Sequence, residues 1–211
     1  MHEDISVQHT GFSNRLHAYD YAMHELKDAI KSVKKILTQM AKQKELVEQK
    51  IKKLITNDVE LNKKYEMISK IKGVGLISFA VLVAETDGFA NFNNVRQLTS
   101  YAGYDVVENQ SGARTGKTRI SKKGNSHIRR IMHMPALNVV KFEPIFKSFY
   151  ERIYDKTGIK MKGYVAVQRK LLSMIYTLWK KNEAFNPLFI SPLSVKKIES
   201  KTEQSKSREK R

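Results

Sequence analysis

The stretch that most restricts the fold of this 211-residue chain runs from Phe12 to Lys72 and contains neither glycine nor proline. Its apolar residues recur at alternating spacings of four and three, the heptad pattern of a coiled coil. They are Phe12, Leu16, Tyr19, Met23, Leu26, Ile30, Val33, Leu37, Met40, Val47, Ile51, Leu54, Leu61, Tyr65 and Ile68. The pattern predicts a coiled coil over residues 12–67. Its apolar seam needs a partner, either a second copy of the chain or an antiparallel helix.

Asn57 and Asp58 interrupt this pattern, because both residue types favour the start of a helix over its interior. We therefore predict one long helix that ends near Ile55 and a second helix from about Val59 to Ile71. A single continuous, solvated helix is the alternative. Residues 1–11 are predicted to form a disordered N-terminus.

Gly73 and Gly75 separate two apolar segments in "ISKIKGVGLISFAVLVAE", which is a helix-hairpin-helix pattern. Glycines let such a turn tighten and expose backbone N–H groups at a helix N-terminus, where a phosphate can bind. Lys70 and Lys72 add positive charge beside the turn. We interpret Lys72, Gly73 and Gly75 as contacts to such a phosphate. An ordinary corner between two helices is the alternative explanation for the glycines.

Residues 68–190 as a whole are predicted to form a small helical domain. "NVRQLTSYAG" predicts a short helix that Gly103 ends at its C′ position. Glycines at three later positions predict that the basic segment as far as Asn125 is a loop, with "YDVV" as a brief extended piece. The expected fold is thus mainly α, a long coiled-coil helix followed by a small helical domain with a basic, glycine-rich loop.

After this loop we predict a helix that starts at Asn125 or Ser126, either of which can cap it. Pro135 is expected to kink that helix. A further amphipathic helix is predicted from Tyr164 to Phe185. Residues 191–211 are rich in lysine, serine and glutamate, and they predict a disordered, basic tail.

The charge of the chain is strongly positive, with 39 Lys and Arg against 21 Asp and Glu, a net charge of +18. Such an excess indicates a polyanionic partner, nucleic acid before an anionic membrane. The cations are also concentrated, because no acidic residue lies between Glu108 and Glu143. That interval contains Arg114, Lys117, Arg119, Lys122, Lys123, Arg129, Arg130 and Lys141. No apolar run of about 18 residues predicts a membrane span, and the lack of cysteine suits the cytoplasm.

Ser111 is the candidate nucleophile in this basic segment. A two-metal nuclease needs several converging carboxylates, and the acidic residues between Gly73 and Pro192 are few and scattered, so we predict no metal site. A serine can instead attack a phosphodiester and hold the cut strand as an ester, if cations neutralise the phosphoryl oxygens. From the residues alone, a turn serine that bonds its own backbone is the preferred explanation, since no general base is identifiable.

Several stretches together resemble, in order and spacing, the C-terminal domain of bacterial insertion-sequence transposases of the IS110 type. These stretches are "IKGVGLISFAVLVAE", "FNNVRQLTSYAG", "ENQSGARTG", "RISKKGNSHIRRIMHMPA" and "RKLLSMIY". The resemblance covers residues 68–187, and the heptads before it resemble the coiled coil of that family. It implies a DNA recombinase in which Ser111 is catalytic, acting in transposition at the bacterial nucleoid with an element-encoded guide RNA. Arg114, Lys117 and Arg119 would then clamp the phosphate, while Lys122, Lys123, Arg129 and Arg130 would hold the flanking strand.

The resemblance also implies a RuvC-like domain that binds magnesium through carboxylates, and this chain has no counterpart of it. We therefore expect a truncated, split or remnant transposase with no cofactor of its own, inactive without such a domain. A non-catalytic nucleic-acid-binding protein, oligomeric through its coiled coil, is the main alternative. A coiled-coil adaptor whose basic surface contacts acidic proteins is a third reading.

Overall fold

The computed structural model describes residues 1–21, 27–108, 110–111, 114–116 and 118–186. Within these ranges the fold is mainly α, which confirms the predicted class. The elements in chain order are α1 (His2–Asp20), α2 (Lys27–Asn57), α3 (Val59–Ile68), α4 (Leu76–Thr86), α5 (Val95–Tyr101), β1 (Val106–Val107), β2 (Gln110–Ser111), β3 (Arg114–Thr115), β4 (Arg119–Ile120), α6 (Ser126–Ile131), α7 (His133–Phe142), α8 (Pro144–Thr157) and α9 (Lys160–Lys181). The predicted tail, residues 191–211, lies outside the described residues.

The N-terminal segment differs from its prediction, because residues 2–11 belong to helix α1 and are not disordered. Helix α1 lies antiparallel to α2, and His2 Nε2 is 2.9 Å from Glu48 Oε1 near the far end of α2. The long helix predicted from Phe12 to about Ile55 is therefore divided into two helices that pack against each other. The coiled coil itself, and its use in assembly, stay predictions.

Helix α2 buries its seam at Val33 and Val47, two heptads apart, and at Ile55. The heptad pattern placed Leu54 inward, but Leu54 is exposed and its neighbour Ile55 is buried, so the seam is shifted by one residue at this end of α2. The predicted break is confirmed: the Asp58 side chain accepts a hydrogen bond from the backbone N–H of Leu61 at 3.0 Å and caps α3. Helix α3 ends at Ile68, before the predicted Ile71.

The core lies where α3, α4, α5, α7 and α8 pack around α9. Helix α9 begins and ends four residues earlier than predicted, and it buries Val167, Leu171, Leu172 and Ile175. Burying each such side chain contributes about 1.5–3 kcal/mol. Phe146 is fully buried in this core and Trp179 packs against it, whereas Phe142 is half-exposed.

The helix predicted to bend at Pro135 is divided instead at Met132, into α6 and α7. Proline has no backbone N–H to donate to the carbonyl group four residues earlier, here that of Ile131, and its ring clashes with that group. The helix therefore breaks between the disturbed carbonyl group of Ile131 and the proline ring, at Met132. Asn125 caps α6 by accepting from the Ile128 backbone N–H at 3.0 Å, which confirms the predicted start.

Candidate nucleic-acid interface

We call the segment 106–120 the arm; its described residues pair as a β-hairpin where the sequence predicted a loop. Val106 pairs with Ile120 and Val107 with Arg119, while nearer the tip Gln110 pairs with Thr115 and Ser111 with Arg114. The register of the second pair of strands is shifted by one residue relative to that of the first. Glycine content argued for a loop, and the antiparallel pairing of the flanking residues outweighs it.

The arm is anchored where it meets the helices, at a site we call the root. Across the root, the Ser121 backbone N–H donates to the Asp105 carbonyl at 2.7 Å, and that of Asn125 donates to the Tyr101 carbonyl at 2.7 Å. Gly124 is required here, because its φ is +143° and an added Cβ would lie 2.3 Å from the Tyr101 carbonyl oxygen. The stretches "YAGYD" and "SKKGNS" are therefore the two sides of one support.

A buried polar chain ties the root to the core. Tyr104 is fully buried, and its hydroxyl donates to Gln168 Oε1 of α9 at 3.0 Å. Gln168 Nε2 in turn lies 3.1 Å from His133 Nδ1 at the start of α7. Burial raises the pKa of the Tyr104 hydroxyl well above its ordinary value. Sequence analysis missed Gln168, for which the only signal was one amide among the apolar positions of α9.

Ser111 lies in β2 and is exposed to solvent. Its pairing partner in β3 is Arg114, and two residues separate them in the sequence. An exposed hydroxyl at this end of the arm can contact a ligand that the residues of the core cannot reach. The structure describes the backbone of Arg114 in β3, and Lys117 lies outside the described residues. The catalytic role of Ser111 and the phosphate clamp of Arg114, Lys117 and Arg119 therefore stay predictions.

Exposed cations surround the root end of the arm. Arg119 in β4 and the next two basic residues, Lys122 and Lys123, all face solvent. The backbone of Lys122 has a positive φ of 55° and donates its N–H to the Gly103 carbonyl at 3.1 Å. This turn holds the lysine backbones in place while their ammonium groups stay available for phosphates.

Arg129 and Arg130, which we predicted as strand contacts, both have partners within the chain. Arg129 Nη1 donates to the carbonyl groups of Ala102 at 2.8 Å and Asn125 at 3.1 Å, so it closes the C-terminal end of α5 onto α6. Arg130 Nη1 donates to Glu3 of α1. Arg129 is thus part of the root, and the DNA contacts of both residues stay predictions.

The helix-hairpin-helix glycines have different surroundings. Gly73 has a φ of +104°, and an added Cβ would lie 2.6 Å from Asn138 Cβ of α7, so packing alone requires this glycine. Gly75 caps α4, and an added Cβ would meet nothing within 4 Å. Lys72 is exposed beside them. The open backbone at Gly75 leaves room for a phosphate, whereas Gly73 faces the protein.

No group of three or more His, Cys, Asp or Glu side chains among the described residues could hold a metal ion. None of the helices in the described part of the chain is both long enough and apolar enough to cross a membrane.

Residues 65–151, which hold the arm, its root and α6, match the model of the "Transposase IS116/IS110/IS902 family". Residues 65–151 are a transposase domain of this family. The pilin gene-inverting protein of Moraxella bovis is 32% identical over 144 residues, which are 66% of this chain and 44% of that protein.

The corresponding protein of Moraxella lacunata is 29% identical over 143 residues, 66% of this chain and 44% of that protein. An uncharacterized 43.6 kDa protein of the insertion element IS110 in Streptomyces coelicolor is 22% identical over 149 residues, 71% of this chain and 36% of that protein. The chain therefore spans less than half the length of these relatives. The resemblance noted from the sequence motifs is confirmed at the level of the family.

Proposed function

We propose that the transposase domain of this chain binds DNA and acts in DNA transposition or recombination, with Ser111 as the nucleophile. The observation that carries the proposal is the arm: a hydroxyl exposed near the tip of a hairpin whose root is fixed to the core. The family of residues 65–151 supports the reaction class. The relatives named as pilin gene-inverting proteins support it further, because inverting a gene requires cutting and rejoining DNA.

In the proposed step the Ser111 Oγ forms a bond to a backbone phosphorus. The bond from that phosphorus to the leaving deoxyribose oxygen breaks, the leaving oxygen takes up a proton, and the Oγ proton passes to solvent. The strand is held as a serine ester, so the phosphodiester energy is retained and attack by another strand end can reverse the step. Positive charge near the phosphoryl oxygens stabilises the transition state, and Arg114, Lys117 and Arg119 are the residues we assign to it.

DNA contact extends beyond the serine in this proposal. Lys122 and Lys123 at the root, Lys72 and the open backbone of Gly75 contact the flanking phosphates, which position a strand without reading its sequence. An element-encoded guide RNA, a second copy of the chain bound through α2, and a RuvC-like domain with its magnesium complete the proposed assembly. A DNA partner places the protein at the bacterial nucleoid.

The test is a covalent protein–DNA adduct, detected as labelled DNA that stays on the protein in denaturing gels, with a RuvC-like domain and magnesium added. Ser111→Ala should abolish the adduct and leave DNA affinity nearly unchanged, because phosphate contacts supply most of the affinity. Ser126→Ala is the matched control, since Ser126 is another exposed serine of the same basic segment. Equal amounts of adduct in the wild type and Ser111→Ala would place the nucleophile elsewhere.

The second candidate function is DNA binding without cleavage. The exposed cations at the root favour it, because gripping a backbone needs only their charge and not a reactive hydroxyl. This alternative predicts normal affinity and no adduct for the wild type and for both serine variants, even in the presence of the RuvC-like domain.

A further inference from the structure

Helix α1 places the carboxylate of Glu3 against the exposed face of α6. Glu3 Oε2 lies 2.7 Å from His127 Nδ1, and Glu3 Oε1 accepts a hydrogen bond from Arg130 Nη1. His127 and Arg130 are three residues apart on a helix, so their side chains project from the same side. The two α6 side chains thus divide the two oxygens of one carboxylate between them.

This contact joins distant parts of the chain, since residues 3 and 130 are 127 positions apart in the sequence. It also brings an acidic residue to the segment from which the sequence excludes acids, between Glu108 and Glu143. Glu3 therefore supplies in the folded chain the negative charge that the basic segment lacks.

The arrangement has the chemistry of a phosphate site. A guanidinium and an imidazole N–H are both hydrogen-bond donors, and a charged acceptor with two oxygens facing them makes the strong, charge-assisted kind of bond. A backbone phosphate of nucleic acid presents two such oxygens on one atom, as the Glu3 carboxylate does. We propose that His127 and Arg130 form a binding site for a nucleic-acid phosphate and that Glu3 competes with the phosphate for it.

The site is accessible once Glu3 leaves, because the side chains of His127 and Arg130 remain 53% and 63% exposed even with Glu3 in place. Arg129, by contrast, is committed to the carbonyl groups of the root. The neighbouring arginines of α6 thus divide into one that supports the arm and one that is available to a ligand.

Helix α1 is less deeply buried than the core helix α9. Every one of residues 1–19 is at least partly exposed, and the polar contact of His2 with Glu48 fixes its first turn to α2. Elements with few buried apolar contacts open at a small fraction of the global unfolding free energy. Helix α1 can therefore leave α6 while the core around α9 stays folded.

Docking of α1 and binding of DNA compete for one site, so each weakens the other to the same extent. DNA on α6 releases Glu3 and loosens α1, and docking of α1 weakens the binding of DNA. This inference rests on the proposed function, because the phosphate it invokes belongs to the DNA that the transposase domain binds. It adds an intramolecular regulator that the proposed function does not contain.

The test compares the affinities of the wild type and of variants for a fluorescent DNA duplex, measured by anisotropy at low salt. Glu3→Gln should bind about three- to fivefold more tightly than the wild type, the range expected for losing an exposed ionic contact. Glu60→Gln is the matched control, because it removes the same charge from an exposed glutamate in the first turn of α3. The gain from Glu3→Gln should vanish in the Arg130→Gln background.

Hydrogen exchange supplies a second readout. Saturating duplex should lower the protection of the α1 amides in the wild type and leave that of α9 unchanged. Equal affinities of Glu3→Gln and Glu60→Gln, or α1 protection that duplex does not change, would overturn the competition and leave DNA binding intact. If neither the wild type nor Glu3→Gln bound duplex at low salt, DNA binding itself would be refuted, and the competition with it.

Discussion

The hydroxyl of Tyr104 provides the sharpest test of how the arm is supported. Tyr104→Phe removes one oxygen atom and keeps the ring in its buried place at the root. It leaves Gln168 Oε1, which lies 3.0 Å from that hydroxyl, without its donor in a site where Gln168 is itself buried. An unsatisfied buried acceptor costs about 1–3 kcal/mol. For a chain of this size, such a loss lowers the melting temperature by roughly 2–12 °C.

The control is Tyr101→Phe, a chemically identical change three residues earlier in the root. The Tyr101 hydroxyl donates to the Glu85 carbonyl and accepts from Asn125 Nδ2, both at 3.3 Å, and the residue is 42% exposed. Water can replace both of these long contacts, so the variant should lose less than about 0.5 kcal/mol. Calorimetric melting of both variants measures the difference. Equal melting temperatures for Tyr104→Phe and the wild type would show that the buried chain from Tyr104 to His133 does not support the root.

The same substitution has a pH dependence of defined sign. Burial raises the pKa of Tyr104 in the folded state above its ordinary value near 10, so above that pH the unfolded chain releases a proton that the folded chain keeps. The stability that the buried neutral hydroxyl provides is complete below pH 10 and falls as the pH rises further. The destabilisation caused by Tyr104→Phe should therefore shrink by about 1 kcal/mol between pH 10 and 11. A constant difference would refute the burial of the neutral phenol.

Two further predictions test the root of the arm and DNA as the partner of the domain. Gly124→Ala should destabilise the chain by more than about 2 kcal/mol, because φ is +143° and the new Cβ meets the Tyr101 carbonyl oxygen. Urea unfolding measures this loss. The control is Gly158→Ala, which should cost about 1 kcal/mol, because its φ is +67° but the new Cβ meets no atom within 4 Å. If the domain neutralises about six phosphates, the logarithm of its DNA affinity should fall with that of salt at a slope of about −5. A flat salt response would instead favour the adaptor that binds acidic proteins.

Helix boundaries that depend on neighbouring residues could be predicted from the sequence. Asp58 and Asn125 each cap a helix by accepting the N–H three residues later, an interaction that short-range sequence specifies. Gly103 follows α5 with a φ of +73°, as the C′ position requires. These predictions succeed because both partners of each interaction lie within one helical turn.

Contacts between distant residues could not be predicted in this way. Residues 1–11 are predicted to be disordered, but in the structure His2 meets Glu48 and Glu3 meets α6. Arg129 looked like a surface cation, and its carbonyl partner at Ala102 is 27 residues away. Gly73 looked like a phosphate cradle, and its close neighbour is Asn138. One sequence without pairing information cannot indicate which distant groups a residue will meet.

The division of the arm into a fixed root and an exposed tip has a consequence for catalysis. A two-stranded hairpin alone is marginally stable in water, and the described residues of the arm form the pairs Val106–Ile120, Val107–Arg119, Gln110–Thr115 and Ser111–Arg114. Cleavage through a serine needs the hydroxyl aligned with the phosphorus, and a misplacement of about 1 Å can cost about 10²-fold in rate. The root fixes where the arm starts but not where Ser111 points. The remaining alignment must come from what the arm contacts when it acts, namely the DNA backbone and the domain or second copy beside it. An adduct assay with the chain alone should therefore yield far less product than one in which those partners are present.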